Sequence, residues 1–286
     1  MDQVIAAAAL ALCFGPPQPV AIEGYAGHAM EPFIARDGQT LFFNNRNDPA
    51  RETDLHWASR IDDTHFRYRG KIASANSNHL DGVPSLARDG TFAFTSLRAF
   101  ESGGATIWMG RWSGDAVTAL NLESALRPGP SPRFNMDGEL SASGAHFYVT
   151  DNRWALIGGL RSSDIRLGVR NNGHWRRAPE FDSWFAAINT RDALEYAPAT
   201  NEAETELYFT RLTLAFLRPP RFETFVSVRA NAATPFGAPE RIDALQGYTE
   251  APTVAPDGAL YFHAMVDGRF TIMRTPRACA RGVTAP

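Results

Sequence analysis

Five acidic residues, Glu31, Asp81, Glu139, Glu195 and Glu250, recur along this chain, each opening a short apolar run. A carboxylate can ligate a cation, accept hydrogen bonds from sugar hydroxyls, or serve in the acid and base pair that cleaves a glycosidic bond. A cationic position follows each acid 13 to 17 residues later: Arg46, Arg98, Arg153 and Arg211 in the first four cases and His263 in the fifth. An adjacent arginine lowers a carboxyl pKa, which suits a structural ion pair and opposes a general acid. Most of these acids are therefore expected to pair with arginines and fix loops. Glu250 faces a histidine instead, so it is the least neutralised. With His263, Glu31 and His28 it marks the expected ligand-binding place, and Asp81, Glu139, Glu195 and the four arginines complete the candidate set. No catalytic residue is assigned. The histidine and carboxylate spacing matches no recognised metal-ligand motif, and neither a metal nor another cofactor is expected.

The elements that position these residues are strands. Met30-Glu-Pro-Phe-Ile-Ala-Arg-Asp-Gly-Gln-Thr-Leu-Phe-Phe-Asn44 returns in degraded form from Asp81, Glu139, Glu195 and Glu250. Each copy reads as an apolar run, an Asp-Gly turn or its equivalent, and a second run of aromatic and aliphatic residues, which is a β-hairpin signature. A third run ending in Arg60, Arg111, Arg170, Arg229 or Arg274 follows, and then a fourth. The acids lie 50 to 58 residues apart, the size of a four-stranded propeller blade. The expected fold is all-β, a five-bladed β-propeller with four-stranded blades. The fifth copy lacks its fourth strand, and Pro19-Val-Ala-Ile22 near the N-terminus matches Pro239-Glu-Arg-Ile242. Gln18 to Glu23 is therefore expected to complete the last blade and close the ring. The inner strands of such a ring run the same way, so the five acids would gather at one mouth of the channel with the arginines outside them.

The repeat Pro-x-x-x-x-Asp-Gly-x-x-x-Phe with a trailing strand resembles the WD-like propeller repeats of the periplasmic propeller of the bacterial Tol system. That resemblance covers nearly the whole chain after its first residues and implies the fold while leaving activity open. Ser143-Gly144 and Thr200-Asn201-Glu202 depart from the Asp-Gly pattern.

Composition narrows the classes. The chain has 286 residues, 44% of them hydrophobic and 21% charged, enough for a packed core. The net charge is -3 and no basic run occurs, so nucleic acid is not an expected partner. Val4 to Phe14 has the length of a signal-peptide apolar region and is too short to span a bilayer. Residues 1–15 are thus expected to be a signal-like segment, residues 16–286 a single domain, and the location periplasmic or secreted. Cys13 and Cys279 flank the expected closure, where a disulfide, removal with the leader, or lipidation are the alternatives.

No Gly-x-Ser-x-Gly, phosphate loop, dinucleotide fingerprint or His-Glu-x-x-His occurs. The expected function is an exported binding or scaffold propeller that takes a small polar ligand or a protein partner on its upper face, with no membrane span. The alternative is a carbohydrate-active enzyme using acids at the channel mouth, with Trp154 and Trp184 as candidates for stacking on sugar rings.

Overall fold

The computed structural model describes residues 13–48, 52–155, 159–214 and 218–278. Five sheets follow one another around a ring, each built on four antiparallel strands. Blade one comprises Met30–Ile34, Thr40–Asn44, Leu55–Arg60 and His65–Lys71, and blade two Asp81–Leu86, Thr91–Ser96, Ile107–Trp112 and Val117–Leu122. Blade three is Arg133–Leu140, His146–Trp154, Leu160–Asn171 and His174–Arg177. Blade four is Leu194–Thr200, Glu206–Thr213, Arg221–Val228 and Glu240–Arg241. Thr249–Val254, Leu260–Val266 and Arg269–Thr275 form the last blade, whose outer strand is Gln18–Pro19, pairing Gln18 with Arg274. The expected five-bladed propeller closed by an N-terminal strand is what the chain forms.

The closing segment does more than expected. Only Gln18–Pro19 belongs to the last blade. Ala21–Glu23 crosses the seam and pairs in parallel with His65–Lys71 on the outside of blade one, placing Ile22 beside Phe66. Val20 N–H, between the two strands, donates to Ile272 O at 2.8 Å. The first and last described residues meet here: Gly15 N–H donates to Pro276 O at 2.9 Å and Ala278 N–H to Cys13 O at 3.0 Å. Cys279, and with it the disulfide alternative, lies outside the described residues, as does the apolar segment before Cys13.

Alternating aromatic side chains make the core, which lies between blades. Phe42 of blade one meets Phe92 and Trp112 of blade two edge-on at 5.3 and 4.9 Å. Full burial of such a ring is worth about 1.5–3 kcal/mol. The inner hairpins turn through a left-handed residue six positions after the residue that follows each bulge, at Gly38, Gly90, Gly144 and Gly258. Blade four has Glu204 there, at φ 54°. A glutamate pays a steric cost in this conformation. Its carboxylate is held in place by the Tyr148 hydroxyl and by His146 Nδ1, both at 2.7 Å, with Arg229 at 3.9 Å.

One irregularity is common to all five inner strands and sets up the site. Met30 pairs with Asn44 but Phe33 with Phe42, so Glu31 and Pro32 together oppose the single residue Phe43, and the same two-against-one slip occurs in the other four blades. This is a β-bulge, a device that redirects a side chain. Glu31, Val83, Ala197 and Ala251 at the bulges adopt left-handed φ of 46–56°, each followed by a proline, and Asp137 before Gly138 stands in the same place in blade three.

Candidate active site

The bulge register shows where each expected residue goes. Counting back from Pro32, Pro84, Gly138, Pro198 and Pro252, the five repeat acids occupy four different positions. Glu31 is at the bulge and Glu250 one residue before it. Asp81 and Glu195 lie two residues before it, and Glu139 lies beyond it, deeper in the channel. The expectation of five equivalent acids around one mouth is therefore incorrect, because a one-residue change of register in a strand turns the side chain to the other face.

Asp81 and Glu195 turn away from the channel mouth into ion pairs with the arginine of their own blade. Arg98 Nη2 lies 2.6 Å from Asp81 Oδ1, and Arg211 Nε 2.8 Å from Glu195 Oε1. Both carboxylates are completely buried, Asp81 also accepting from Ser77 and Glu195 from Thr190. Glu139 pairs with Arg36 at 2.8 Å rather than with Arg153. Arg36 crosses the channel from blade one and donates also to Leu140 O and Thr200 O. It plugs the channel below a cavity of about 30 Å³ ringed by the bulge prolines, room for about one water. Arg153 is exposed, and among the described residues neither it nor Arg46 has an ion pair.

Above the plug the channel widens into a cleft of about 630 Å³. Of the expected set, His28, Glu31, Arg46 and Glu250 line it, while Asp81, Glu139, Glu195, Arg98, Arg153 and Arg211 do not. His263 is buried beneath the floor. Asp137, Tyr196, Tyr248 and Asn47 also line the cleft and were missed. The signal for Asp137 was present: Asp137-Gly138 stands where Glu31-Pro32 stands in blade one.

Three carboxylates from three blades share this floor, and their surroundings drive their protonation apart. Burial, together with the negative charges of Asp137 and Glu250, holds Glu31 well above the ordinary carboxylate range, against one hydrogen bond from Asn47 Nδ2 at 2.6 Å. Burial and the Glu250 charge push Asp137 up to about 7, although the backbone N–H of Ala197 bonds its carboxylate. The second oxygen, Asp137 Oδ2, is buried without a hydrogen-bond partner among the described residues. Burial would raise Glu250 too, but His263, Tyr196 and Tyr248 outweigh it and hold this carboxyl below its usual range. The Tyr196 hydroxyl donates to Glu250 Oε1 in a short bond. His263 Nδ1 accepts the backbone N–H of Glu31, so its ring proton sits on Nε2, facing Glu250 Oε2 at 3.4 Å. The result is one carboxyl held below its usual range beside two pushed above theirs, the kind of separation that acid and base chemistry requires. Among the described residues no group of histidine, cysteine and acidic side chains is gathered closely enough to hold a metal ion.

Aromatic rings wall the cleft. Trp154 is 45% exposed and stacks on Phe134, with centroids 5.3 Å apart and planes at 15°. Tyr248 rests on Phe222 and Phe270. Trp184 is not in the cleft and packs at the side of blade three, with the Arg229 guanidinium 5.2 Å from its ring.

No family model matches the chain, and no curated protein matches its sequence. Its fold, by contrast, is similar to solved structures of low identity. One is described as a glycoside hydrolase (TM-score 0.60, 11% identity, 96% of this chain and 95% of that one). Another is a putative exo-β-1,3-galactanase from Bifidobacterium bifidum (0.57, 11%, 95% of each). A third is Zg3597, a family 117 glycoside hydrolase from the marine bacterium Zobellia galactanivorans (0.55, 10%, 93% and 90%). These similarities establish the five-bladed propeller. They also correct two expectations. The propellers that resemble this chain are glycoside hydrolases rather than Tol-type WD-like propellers. The expectation of a binding scaffold is likewise not supported, since these neighbours are described as glycoside hydrolases and the acids of the upper face do not form a ring neutralised by arginines.

Proposed function

We propose that the chain is a carbohydrate-active enzyme that cleaves a glycosidic bond at the floor of this cleft. The observation that carries the proposal is the gathering of three carboxyl groups from three blades in one cleft, Glu250 bonded by Tyr196 and facing His263, Glu31 bonded by Asn47 and Asp137 Oδ2 buried without a hydrogen-bond partner, with no arginine paired to any of them among the described residues. Hydrolysis of a glycoside needs one carboxyl to give a proton to the departing oxygen and another to act on the opposite side of the sugar. Asp137, titrating near 7, suits the donor. Glu250, oriented by Tyr196 and Tyr248, suits the base that activates water or the nucleophile that bonds the anomeric carbon. Glu31, fixed by Asn47, is placed to hydrogen-bond a sugar hydroxyl. In the step itself the Asp137 proton passes to the glycosidic oxygen, the bond from that oxygen to the anomeric carbon breaks, and water supplies the new hydroxyl. The similarity to glycoside hydrolase propellers supports this assignment at the level of the scaffold.

The test is a panel of glycosides in both anomeric configurations, assayed with the full chain and with Glu250→Gln and Asp137→Asn. Turnover by the parent that falls by a factor of at least ~10³ in both variants is expected. Turnover that persists in both variants, or its absence across pentosides, hexosides and uronides, overturns the proposal.

A further inference from the structure

The cleft is polar on one side and apolar on the other. Asn47, Tyr196, Tyr248 and the carboxylates of Glu31 and Glu250 stand on the side of blades one, four and five. Blades two and three contribute Leu97, Phe100, Phe134, Met136 and Trp154. Apart from Asp137, the polar side chains Thr95 and Asn135 in that wall are already bonded within the fold. Thr95 Oγ1 donates to Met136 O at 2.6 Å, and Asn135 Nδ2 donates to Thr150 O at 3.0 Å and to Asp151 Oδ1 at 3.3 Å. Met136 and Trp154 are 39% and 45% exposed, and the Trp154 ring is held flat on Phe134. Large exposed apolar side chains concentrated at the mouth of a cleft form a recognition surface.

Asp137 belongs to this apolar side, directly after Met136. A general acid stands beside the oxygen it protonates, so the group attached to that oxygen departs along the neighbouring wall. We infer that the Phe134, Met136 and Trp154 wall receives the leaving group, and that this group is an apolar alcohol, alkyl or aryl, rather than a second sugar. A sugar pressed against this wall would have hydroxyls desolvated without partners, at a cost an alkyl or aryl group avoids. The glycone is left to the polar side, where Asn47, Tyr196 and the acids supply donors and acceptors. This inference rests on the hydrolase proposal above and names its substrate class as glycosides of hydrophobic alcohols.

The experiment compares octyl and methyl glycosides of one sugar, whose leaving groups are chemically alike, together with a disaccharide of the same sugar. For the full chain, kcat/KM on the octyl glycoside is expected to exceed both others by about tenfold or more, as several buried methylenes would give. Trp154→Ala should remove that advantage and leave the methyl glycoside rate within about twofold, and Met136→Gln, at a second exposed position, should do the same. Binding of 2-phenylethanol, followed by calorimetry, should weaken in the same two variants. Equal rates on all three substrates, or an advantage that survives both substitutions, overturns the leaving-group assignment and leaves the hydrolase proposal standing. Turnover of none of them, with 2-phenylethanol still bound at Trp154, overturns the hydrolase proposal and the leaving-group role together.

Discussion

The backbone N–H of Glu31 donates to His263 Nδ1 at 3.2 Å across the seam where the last blade meets the first. The same kind of seam bond recurs elsewhere in the ring, from Val83 N–H to Asn44 Oδ1 at 3.1 Å and from Ala251 N–H to Thr210 Oγ1 at 3.2 Å. Only at Glu31 is the acceptor a ring whose other nitrogen faces an acid. The contact favours the histidine tautomer that turns an N–H toward Glu250, and His263 is one of the three side chains that hold this carboxyl below its usual range.

His263→Phe keeps the buried volume and removes both roles. Glu250 should then titrate at higher pH, moving the acidic limb of the kcat/KM profile upward, with a stability loss of about 1–3 kcal/mol for the unmatched Glu31 N–H. Rate against pH and urea unfolding check the two effects separately. An acidic limb that stays in place would show that His263 does not tune Glu250.

The alkaline limb should belong to Asp137. Activity is expected to fall as pH rises through about 7, where this carboxyl loses its proton. Because the acids interact, the two limbs report the cluster rather than isolated groups. Stability should follow the same titration. The folded-state pKa lies above the ordinary value of about 4, so the folded form holds more protons between those pH values, and stability falls as pH rises across that window. Asp137→Asn keeps the acceptor for Ala197 N–H without the charge. It should be inactive yet melt higher than the parent at pH 8, with little difference at pH 4. A variant that melts lower at pH 8 contradicts the assignment.

Glu195→Gln and Glu250→Gln should behave in opposite ways. Glu195 is completely buried against Arg211 and Thr190, and neutralising it leaves a guanidinium without its carboxylate, a loss of about 3 kcal/mol. Removing the Glu250 charge relieves the repulsion felt by Glu31 and Asp137, which offsets the hydrogen bonds weakened at Tyr196 and Tyr248. Its melting temperature should change little while its activity disappears. Two variants with similar melting temperatures would mean that Glu250 is also structural.

Glu204 offers a contest between strain and charge. Glycine at this left-handed position would relieve about 1 kcal/mol of backbone cost. It would also remove the carboxylate that holds His146 and Tyr148 and faces the buried Arg229, a larger penalty of about 3 kcal/mol. Glu204→Gly should therefore destabilise the protein, measured by denaturant midpoint, even though every other inner hairpin has glycine there. A stabilised variant would show that strain is the greater of the two.

The fold was legible because its signals are periodic: an Asp-Gly or related turn, an aromatic second strand and a strand-ending arginine, five times over. The pairings of Asp81 with Arg98 and Glu195 with Arg211 also follow from spacing. The site was only partly legible. Glu250 was recognisable as the acid outside the arginine pattern and Glu31 as its neighbour across the seam, but the bulge before each proline or glycine determines which side chain enters the channel, and it is a backbone slip of one residue that composition does not reveal. Asp137 was hidden by Glu139, two residues on, which fits the repeat of acids better and lies deeper, on Arg36. The nearby Pro32, Pro84, Pro198 and Pro252 were the available ruler, and counting from them separates the two acids of blade three.

The N-terminal stretch has one further consequence, for the order of events during synthesis. Gln18–Pro19 waits for Arg269–Thr275, the last strand among the described residues, while Ala21–Glu23 can settle on His65–Lys71 almost at once. Blade one, with its Glu31, is thus tethered early to a strand whose partner is made last. The ring cannot shut until the C-terminal strand has left the ribosome, and His263 cannot meet Glu31 before then. A chain stopped before Arg269–Thr275 would carry four built blades and no assembled cleft floor, so the proposed activity should appear only once that strand is in place.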